Sequence, residues 1–216
     1  MKVKQLDVVI TTYNRNDRLF KTLNMLSNQT CMDFNLIIND DGGKVILNPS
    51  DFKIITKYIW NEDVAYHRVA RFNESVKLCV SPYIVMLDDD GIPNSNNFIS
   101  AYISELSNTD VCKGIVQFEN GATASSWFST ANLGIRKSVY EEIGLFDEGF
   151  DGYYGHEDRD FGIRIEQKGY KIVNGGLDTK VNHSMEMYAN GDRSDVIVGH
   201  NTEYFIKKWG FHPKSR

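Results

Sequence analysis

The run Tyr83-Ile84-Val85-Met86-Leu87 is apolar and rich in strand formers, and it stops at Asp88-Asp89-Asp90, just before Gly91-Ile92-Pro93. A strand that ends in three carboxylates constrains both the fold and the chemistry. Like charges a few ångströms apart repel by roughly 1 kcal/mol in water and several-fold more at a partly buried strand end, so a cation or an unusual protonation has to relieve them. Oxygen ligands favour hard divalent ions such as Mg2+ or Mn2+, and in open α/β sheets ligands bind at the carboxyl ends of the strands. A solvated acidic turn is the competing reading, and the strand that precedes the triplet weighs against it.

The rest of the chain supplies the sheet. Strand-like runs alternate with segments of helical period, which predicts an α/β fold with a largely parallel central sheet flanked by helices. Leu6 to Thr11 reads as the first strand, and Asn16 as the cap of a helix with Leu19, Leu23 and Leu26 on one face. Phe34 to Ile38 is the second strand, ending at Asn39-Asp40-Asp41-Gly42-Gly43, and Ile54 to Ile59 the third. Ala65 to Cys79 reads as a helix with Val69, Asn73, Val76 and Val80 along one side, followed by the strand Tyr83 to Leu87 and a helix from Asn96 to Leu106. Val111 to Phe118 is strand-like, Glu119 to Ser129 polar and small with Trp127, Asn132 to Ile135 a short strand, and Ser138 to Ile143 a helix. A helix from Glu157 to Lys168 is closed by Gly169, with Phe161 and Ile165 inward, and Asp195 to Trp209 reads as the last helix.

A length of 216 residues suits a single domain, 1–216, with a sheet covered on both faces. With 41% hydrophobic and 25% charged residues, the composition is that of an ordinary globular protein. No apolar run approaches a bilayer span and the amino terminus lacks a signal-peptide core, so a cytoplasmic location is expected. Cys31, Cys79 and Cys112 have neither the number nor the spacing for a disulfide framework or a zinc cluster. A net charge of −5 disfavours nucleic acid as the main partner.

Two acidic strand ends in one sheet share a rim, which suits a nucleotide. The segments Val9-Ile10-Thr11-Thr12-Tyr13-Asn14-Arg15, Asn39-Asp40-Asp41-Gly42-Gly43, Leu87-Asp88-Asp89-Asp90-Gly91-Ile92-Pro93 and Gly155-His156-Glu157-Asp158-Arg159-Asp160 follow in order, with Ala131 to Tyr140 and Ile143 to Glu148 between the last two. Over nearly its whole length the chain resembles the family-2 glycosyltransferases of the GT-A fold. The resemblance implies a single Rossmann-like domain whose residues from about 1 to 95 form a nucleotide-binding half, and those from about 96 to 216 an acceptor-binding and catalytic half. It implies a metal-dependent, inverting transfer of a sugar from a nucleoside-diphosphate sugar, with UDP as the leading nucleotide, to a hydroxyl of a saccharide or glycoconjugate.

The implied chemistry divides among the motifs. A sugar leaving a nucleoside diphosphate sheds negative charge that a Lewis-acidic metal stabilises. By resemblance Asp90 ligates Mn2+ or Mg2+, Asp88 meets the ribose or the metal shell, and Asp89 adjoins the donor or stands by. His183 occupies the place of an imidazole ligand, which would favour Mn2+, and its alternative is a surface or core histidine. Asp40 and Asp41 either accept from a nucleobase N–H or build the turn with Gly42-Gly43. Thr11, Tyr13 and Arg15 line the first loop, and Arg68 or Arg71 reaches the base or phosphates. Glu157 and Asp158 open a helix, where the partial positive charge favours ionised carboxylates and where capping is the ordinary role. By resemblance Asp158 is the general base and Glu157 binds acceptor hydroxyls, while Asp160 is solvated or paired with Arg164.

The first strand ends in Thr11-Thr12 where relatives often show proline and threonine, and Gly91-Ile92-Pro93 is one residue tighter than the frequent form. Acceptor contacts are expected from Gln117 to Ser129 and from the aromatic loop Phe150 to Tyr154, with a peripheral membrane contact left open. A sugar-phosphate nucleotidyltransferase would begin with a glycine-rich, basic phosphate loop, which Thr11 to Arg15 is not. A non-catalytic nucleotide-sugar or carbohydrate-binding module would have no need of Glu157-Asp158.

Overall fold

The computed structural model describes residues 3–124, 128–184 and 198–215. Its longer strands are β1 (Leu6–Thr12), β2 (Phe34–Asp40), β3 (Ile55–Trp60), β4 (Tyr83–Asp88) and β8 (Asn132–Arg136), with short β6 (Val111–Lys113) and β9 (Ile172–Asn174). These seven form one sheet in the order β3-β2-β1-β4-β8-β6-β9. β1 to β4 are mutually parallel, β8 is antiparallel to β4 and β6, and β6 is parallel to β9, so β8 alone is reversed. The expected α/β architecture with a mostly parallel sheet is what the chain adopts. A second small sheet joins β5 (Ile92–Pro93), β10 (Val181–His183) and β7 (Val116–Phe118) in that order.

Side chains that alternate along the strands face two different helix layers. Leu6, Val8 and Ile10 of β1 pack with Leu19, Leu23 and Leu26 of α1 (Asn16–Ser27) and with Phe98 and Tyr102 of α3 (Phe98–Asn108). Val9, with Ile84 and Met86 of β4, joins Phe72 of α2 (Arg68–Leu78), Tyr140 of α4 (Lys137–Ile143), Phe161 of α5 (Glu157–Gln167) and Phe205 of α6 (Val198–Trp209). β1 and β4 are therefore interior strands covered on both faces, and only their ends are free to offer polar groups to a ligand.

Several sequence expectations shift. Asn16 is the first helical residue rather than the cap of α1, and its Nδ2 donates to the Val45 carbonyl at 2.9 Å. α2 begins at Arg68 instead of Ala65 and ends before Val80, which is 64% exposed, because the chain must turn at Cys79 to enter β4. The single strand read from Val111 to Phe118 is two strands in two sheets. At the break, a Cβ on Gly114 would lie 2.2 Å from the Tyr102 hydroxyl and 2.3 Å from Asn132 Nδ2, so only glycine lets the backbone pass. Buried Asn132 spans the gap, donating to the carbonyls of Thr179 at 2.7 Å and Ile115 at 3.2 Å. Asp195, the expected start of the last helix, and Trp127 lie outside the described residues.

Asp7, fully buried on β1, serves the fold. Its carboxylate accepts from Val80 N at 2.7 Å, Ser81 N and Oγ at 2.8 Å each, and Asn35 Nδ2 at 2.6 Å, fixing the turn that leads into β4. Asp7→Ala would strand these donors inside the protein, and urea unfolding should show a loss of about 3 kcal/mol with an unchanged denaturant slope.

Candidate active site

β4 delivers the acid triplet to the rim of the sheet, between β1 and β8. Gly91 N donates back to the Asp88 carbonyl at 2.9 Å, and this tight turn leads at once into β5. β5 pairs antiparallel with β10, setting Ile92 opposite Asn182 and Pro93 opposite Val181. That pairing carries His183, the last residue of β10, to the acids. Its Nε2 lies 3.1 Å from Asp88 Oδ2 and 3.1 Å from Asp90 Oδ1, while Nδ1 is 2.7 Å from the Ser184 carbonyl. A carbonyl at Nδ1 sets the tautomer in which Nε2 is the ligating nitrogen.

Ligand atoms of Asp88, Asp90 and His183 all lie within 4.8 Å of one another, and buried Asp90 Oδ1 has the His183 imidazole at 3.1 Å but no hydrogen-bond donor aligned on it among the described residues. Two carboxylates and an imidazole are a donor set that fits Mn2+, with Mg2+ the harder alternative.

The charges are balanced by two arginines. Arg68 donates to Asp88 Oδ1 at 2.8 Å, and Arg15 lies 3.4 Å from both Asp89 Oδ1 and Asp90 Oδ2. Burial would raise the Asp88 carboxyl, but Arg68 and His183 hold it well below the usual range. Burial, joined by the charge of Asp90, pushes Asp89 up to about 7 against the pull of Arg15. Burial lowers the basicity of His183, yet Asp88 and Asp90 outweigh it and raise the imidazole to about 9, so a cation has to displace its proton. Asp89 turns inward: Thr12 Oγ1 donates to its Oδ2 at 2.8 Å and Thr22 Oγ1 to its carbonyl at 2.9 Å. Thr12 thus ties the end of β1 to the acid loop, while Thr11 stands opposite Asp88 in the register of β1 and β4.

The end of β2 forms a neighbouring cluster. Asp40 Oδ1 accepts from Gly43 N at 2.7 Å and Oδ2 from the Tyr58 hydroxyl at 2.8 Å. Burial pushes its carboxyl upward against those two hydrogen bonds. Of the two roles read for Asp40, the turn is the one its contacts show. Gly42, at φ 94°, sits so close to Asp63 that a Cβ would fall 2.5 Å from the Asp63 Cα. Asp41 accepts from Arg71 Nε at 2.9 Å and from His67 N at 2.9 Å, which engages Arg71 on the β2 side of the rim. The Tyr13 hydroxyl donates to Asp63 at 2.9 Å.

Arg68 takes a different path. Its NH1 donates to Glu157 Oε1 at 2.9 Å while NH2 holds Asp88, so one guanidinium joins the acid triplet to the start of α5. Glu157 is 4% exposed, and its Oε2 is buried without a hydrogen-bond partner among the described residues. Asp158, half-buried, accepts from Arg159 N at 2.6 Å. Burial, reinforced by the adjacent Glu157 and resisted by Arg68, raises Asp158 to about 7. Asp160 is fully buried rather than solvated, accepting from Arg164 Nε at 3.0 Å, Trp209 Nε1 at 3.0 Å and Lys208 Nζ at 2.6 Å.

Comparison with known proteins fits this geometry. The family model described as glycosyl transferase family 2 matches residues 7–156. This chain belongs to that family. It is 25% identical over 234 aligned positions to a chondroitin synthase of Pasteurella multocida, covering 80% of this chain and 24% of that protein. It is 22% identical over 266 positions to a validoxylamine A glucosyltransferase of Streptomyces hygroscopicus subsp. limoneus, covering 98% of this chain and 57% of that protein. Among solved structures, S. aureus TarS in complex with UDP-GlcNAc matches with a TM-score of 0.66 at 14% identity, over 85% of this chain and 59% of that one. A mannosyltransferase from Pyrobaculum calidifontis in complex with GDP-Man and Mn2+ matches with a TM-score of 0.67 at 14% identity, over 87% and 59%. The chain thus spans between a quarter and three-fifths of the length of these proteins. The fold is GT-A, as in these glycosyltransferase structures. No helix among the described residues is long and apolar enough to cross a membrane.

Sequence reading did not single out Thr12 or the bridging role of Arg68. Alternation along β1 gives a signal for the first, since Thr11 and Thr12 must face opposite sides. The second has none, because which of Arg68 and Arg71 enters the site depends on where α2 starts. If the cluster holds a cation, Mn2+ should raise the melting temperature of the protein, as any ligand bound only by the native state does. Asp90→Ala or His183→Ala should weaken Mn2+ binding by more than the roughly 10- to 100-fold that an outer-shell partner contributes, as read by calorimetric titration.

Proposed function

We propose that the chain is a cation-dependent glycosyltransferase that moves a sugar from a nucleoside-diphosphate sugar to a hydroxyl of a saccharide or glycoconjugate, with inversion at the anomeric carbon. One observation carries the reading: Arg68 holds Asp88 and Glu157 at 2.8 and 2.9 Å, so the acids suited to the departing diphosphate and those suited to the acceptor share one rim. Family membership supports the same reaction, as do relatives named chondroitin synthase and glucosyltransferase.

Bound by Asp88, Asp90 and His183, Mn2+ or Mg2+ would supply Lewis-acid stabilisation of the charge that develops on the leaving diphosphate. Arg15 and Arg68 add fixed positive charge beside the same acids. Thr11, Tyr13, Asp41 and Arg71 surround the nucleotide end of the rim, with Asp40 and Asp89 bracing the two loops from within. UDP is the favoured nucleotide, supported by the family resemblance and by the UDP-GlcNAc complex of a fold neighbour. Asp158 takes the proton of the attacking hydroxyl, and Glu157, whose buried Oε2 has no hydrogen-bond partner among the described residues, accepts from an acceptor hydroxyl. The two halves, about 1–95 and 96–216, divide donor and acceptor within a single domain, a reading that the continuous seven-stranded sheet supports.

A base works only when ionised, so a carboxyl raised to about 7 gives a transfer rate that falls as pH drops through that value and levels off above it. A panel of UDP-, GDP- and dTDP-sugars with Mn2+ should reveal a donor that turns over, with this acid limb in its kcat/KM profile. Asp158→Asn should keep donor affinity and lower transfer by roughly 100- to 10,000-fold, the usual contribution of a positioned base. Unchanged turnover in that variant would remove Asp158 as the base, whereas donor binding without turnover by the wild-type chain would leave a binding module as the better account.

A further inference from the structure

The loop between the short turn at Glu148–Phe150 and the start of α5 is held from two sides by groups to which neither the family match nor the reaction assigns a role. On one side Asp151 caps α2 from a distance: Oδ1 accepts from Val69 N at 3.1 Å and Ala70 N at 3.3 Å, Oδ2 lies 2.7 Å from His67 Nδ1, and Gly152 N donates to the Tyr66 carbonyl at 2.9 Å. On the other side are three consecutive residues of α6. The His200 ring stacks on Tyr153 with centroids 3.8 Å apart. Asn201 Nδ2 lies 3.0 Å from the Phe150 carbonyl, 3.1 Å from that of Tyr153 and 2.9 Å from that of Gly155. Thr202 Oγ1 is 2.9 Å from His156 Nε2.

Asn201 is fully buried, and its two amide protons serve three carbonyls while its own Oδ1 has no hydrogen-bond partner among the described residues. A side chain selected for stability alone would not leave a buried acceptor unpaired, which points to the loop as what it is there to hold. Gly152, Gly155 and His156 have φ of 82°, 94° and 71°, so the loop follows neither strand nor helix geometry until the His156 carbonyl accepts from Asp160 N at 3.0 Å, and the carbonyls of Phe150, Tyr153 and Gly155 are met instead by the Asn201 amide. His156 leads directly into Glu157 and Asp158, so a displacement at Gly155 is passed to both carboxylates within two or three residues of chain.

We infer that Asn201 is a positioning residue of the acceptor side, holding the 150–156 loop so that Asp158 and Glu157 stand at the geometry the reaction needs. It acts from α6, beyond the residues 7–156 that the family model covers. The inference rests on the glycosyl-transfer reading for its kinetic consequence, but the clamp itself is a statement about the loop.

The test uses the full chain with Asn201→Ala, and Thr202→Val as a milder variant that removes the His156 contact and keeps the Asn201 amide. Hydrogen–deuterium exchange should show amides of residues 150–158 exchanging at least ~10-fold faster in Asn201→Ala, with peptides of β1 and β4 unchanged. With the donor and acceptor that the wild-type protein turns over, kcat should fall roughly 10- to 100-fold, as for a misplacement of about 1 Å, and Thr202→Val should fall less. The dissociation constant for the nucleoside diphosphate with Mn2+ should stay within about twofold, and the acid limb of the pH profile should move with the altered surroundings of Asp158. Unchanged loop exchange or unchanged kcat in both variants overturns the inference, as does a uniform loss of protection with donor affinity falling in step, which marks a general stabilising contact. If no donor is turned over by the wild type, the functional reading fails, and loop exchange alone then decides whether the clamp exists.

Discussion

Arg68 is the interaction on which the arrangement of the site depends. Its guanidinium has one hand on Asp88, at the end of an interior strand, and the other on Glu157, at the start of α5, so two elements far apart in sequence are fixed to one planar fork. An arginine suits this place because the fork presents several donors in fixed directions and keeps its charge when desolvated. Burial works against the charged guanidinium, yet the carboxylate of Asp88 outweighs it and holds the group ionised. Without this cation, Glu157 would be a buried acid beside Asp158 with only the amino-terminal turn of α5 to offset the repulsion between them.

The acid triplet is arranged by division of labour rather than by three equal ligands. Asp88 is kept ionised by Arg68 and His183; Asp89 turns inward to Thr12 and Arg15 and braces the first loop; Asp90 faces His183 with one oxygen and Arg15 with the other. Crowded carboxylates in one turn are tolerated because each meets a different cation or hydrogen-bond donor. The same logic recurs where no ligand is involved. Asp7 and Asp160 are fully buried, and each accepts from at least three donors, so they tie a turn and a helix to the core instead of serving chemistry.

The loop before α5 is held in place from outside its own segment. Its left-handed residues free the carbonyls that Asn201 then gathers, and Asp151 spends its carboxylate on the amino terminus of α2. α2 thus carries Arg68 into the site while receiving its cap from the loop it helps to hold. Asp147 and Asp160 both reach Lys208, which ties α6 to the same region from its far end.

Much of this was legible beforehand. The alternation of apolar runs and helical periods determined the parallel sheet, because interior strands must be apolar on both faces and helices on one. The positions of Asp40, Asp88, Asp90 and Glu157-Asp158 at element ends determined that acids would gather on a rim, since parallel strands bring their carboxyl ends together. Pattern reading was weakest at boundaries: Asn16 was read as a cap, α2 was started three residues early, and the Val111 to Phe118 run hid a change of sheet that only the close approach of Tyr102 and Asn132 to Gly114 imposes. What tertiary structure alone decided is which partners the acids meet. His183 reaches Asp88 because β10 pairs with β5, and Arg68 rather than Arg71 bridges to Glu157 because of where α2 begins. Periodicity records which face of an element is buried, but a hydrogen bond depends on direction and distance between segments some 90 residues apart, and those are set only when the sheets and helices pack.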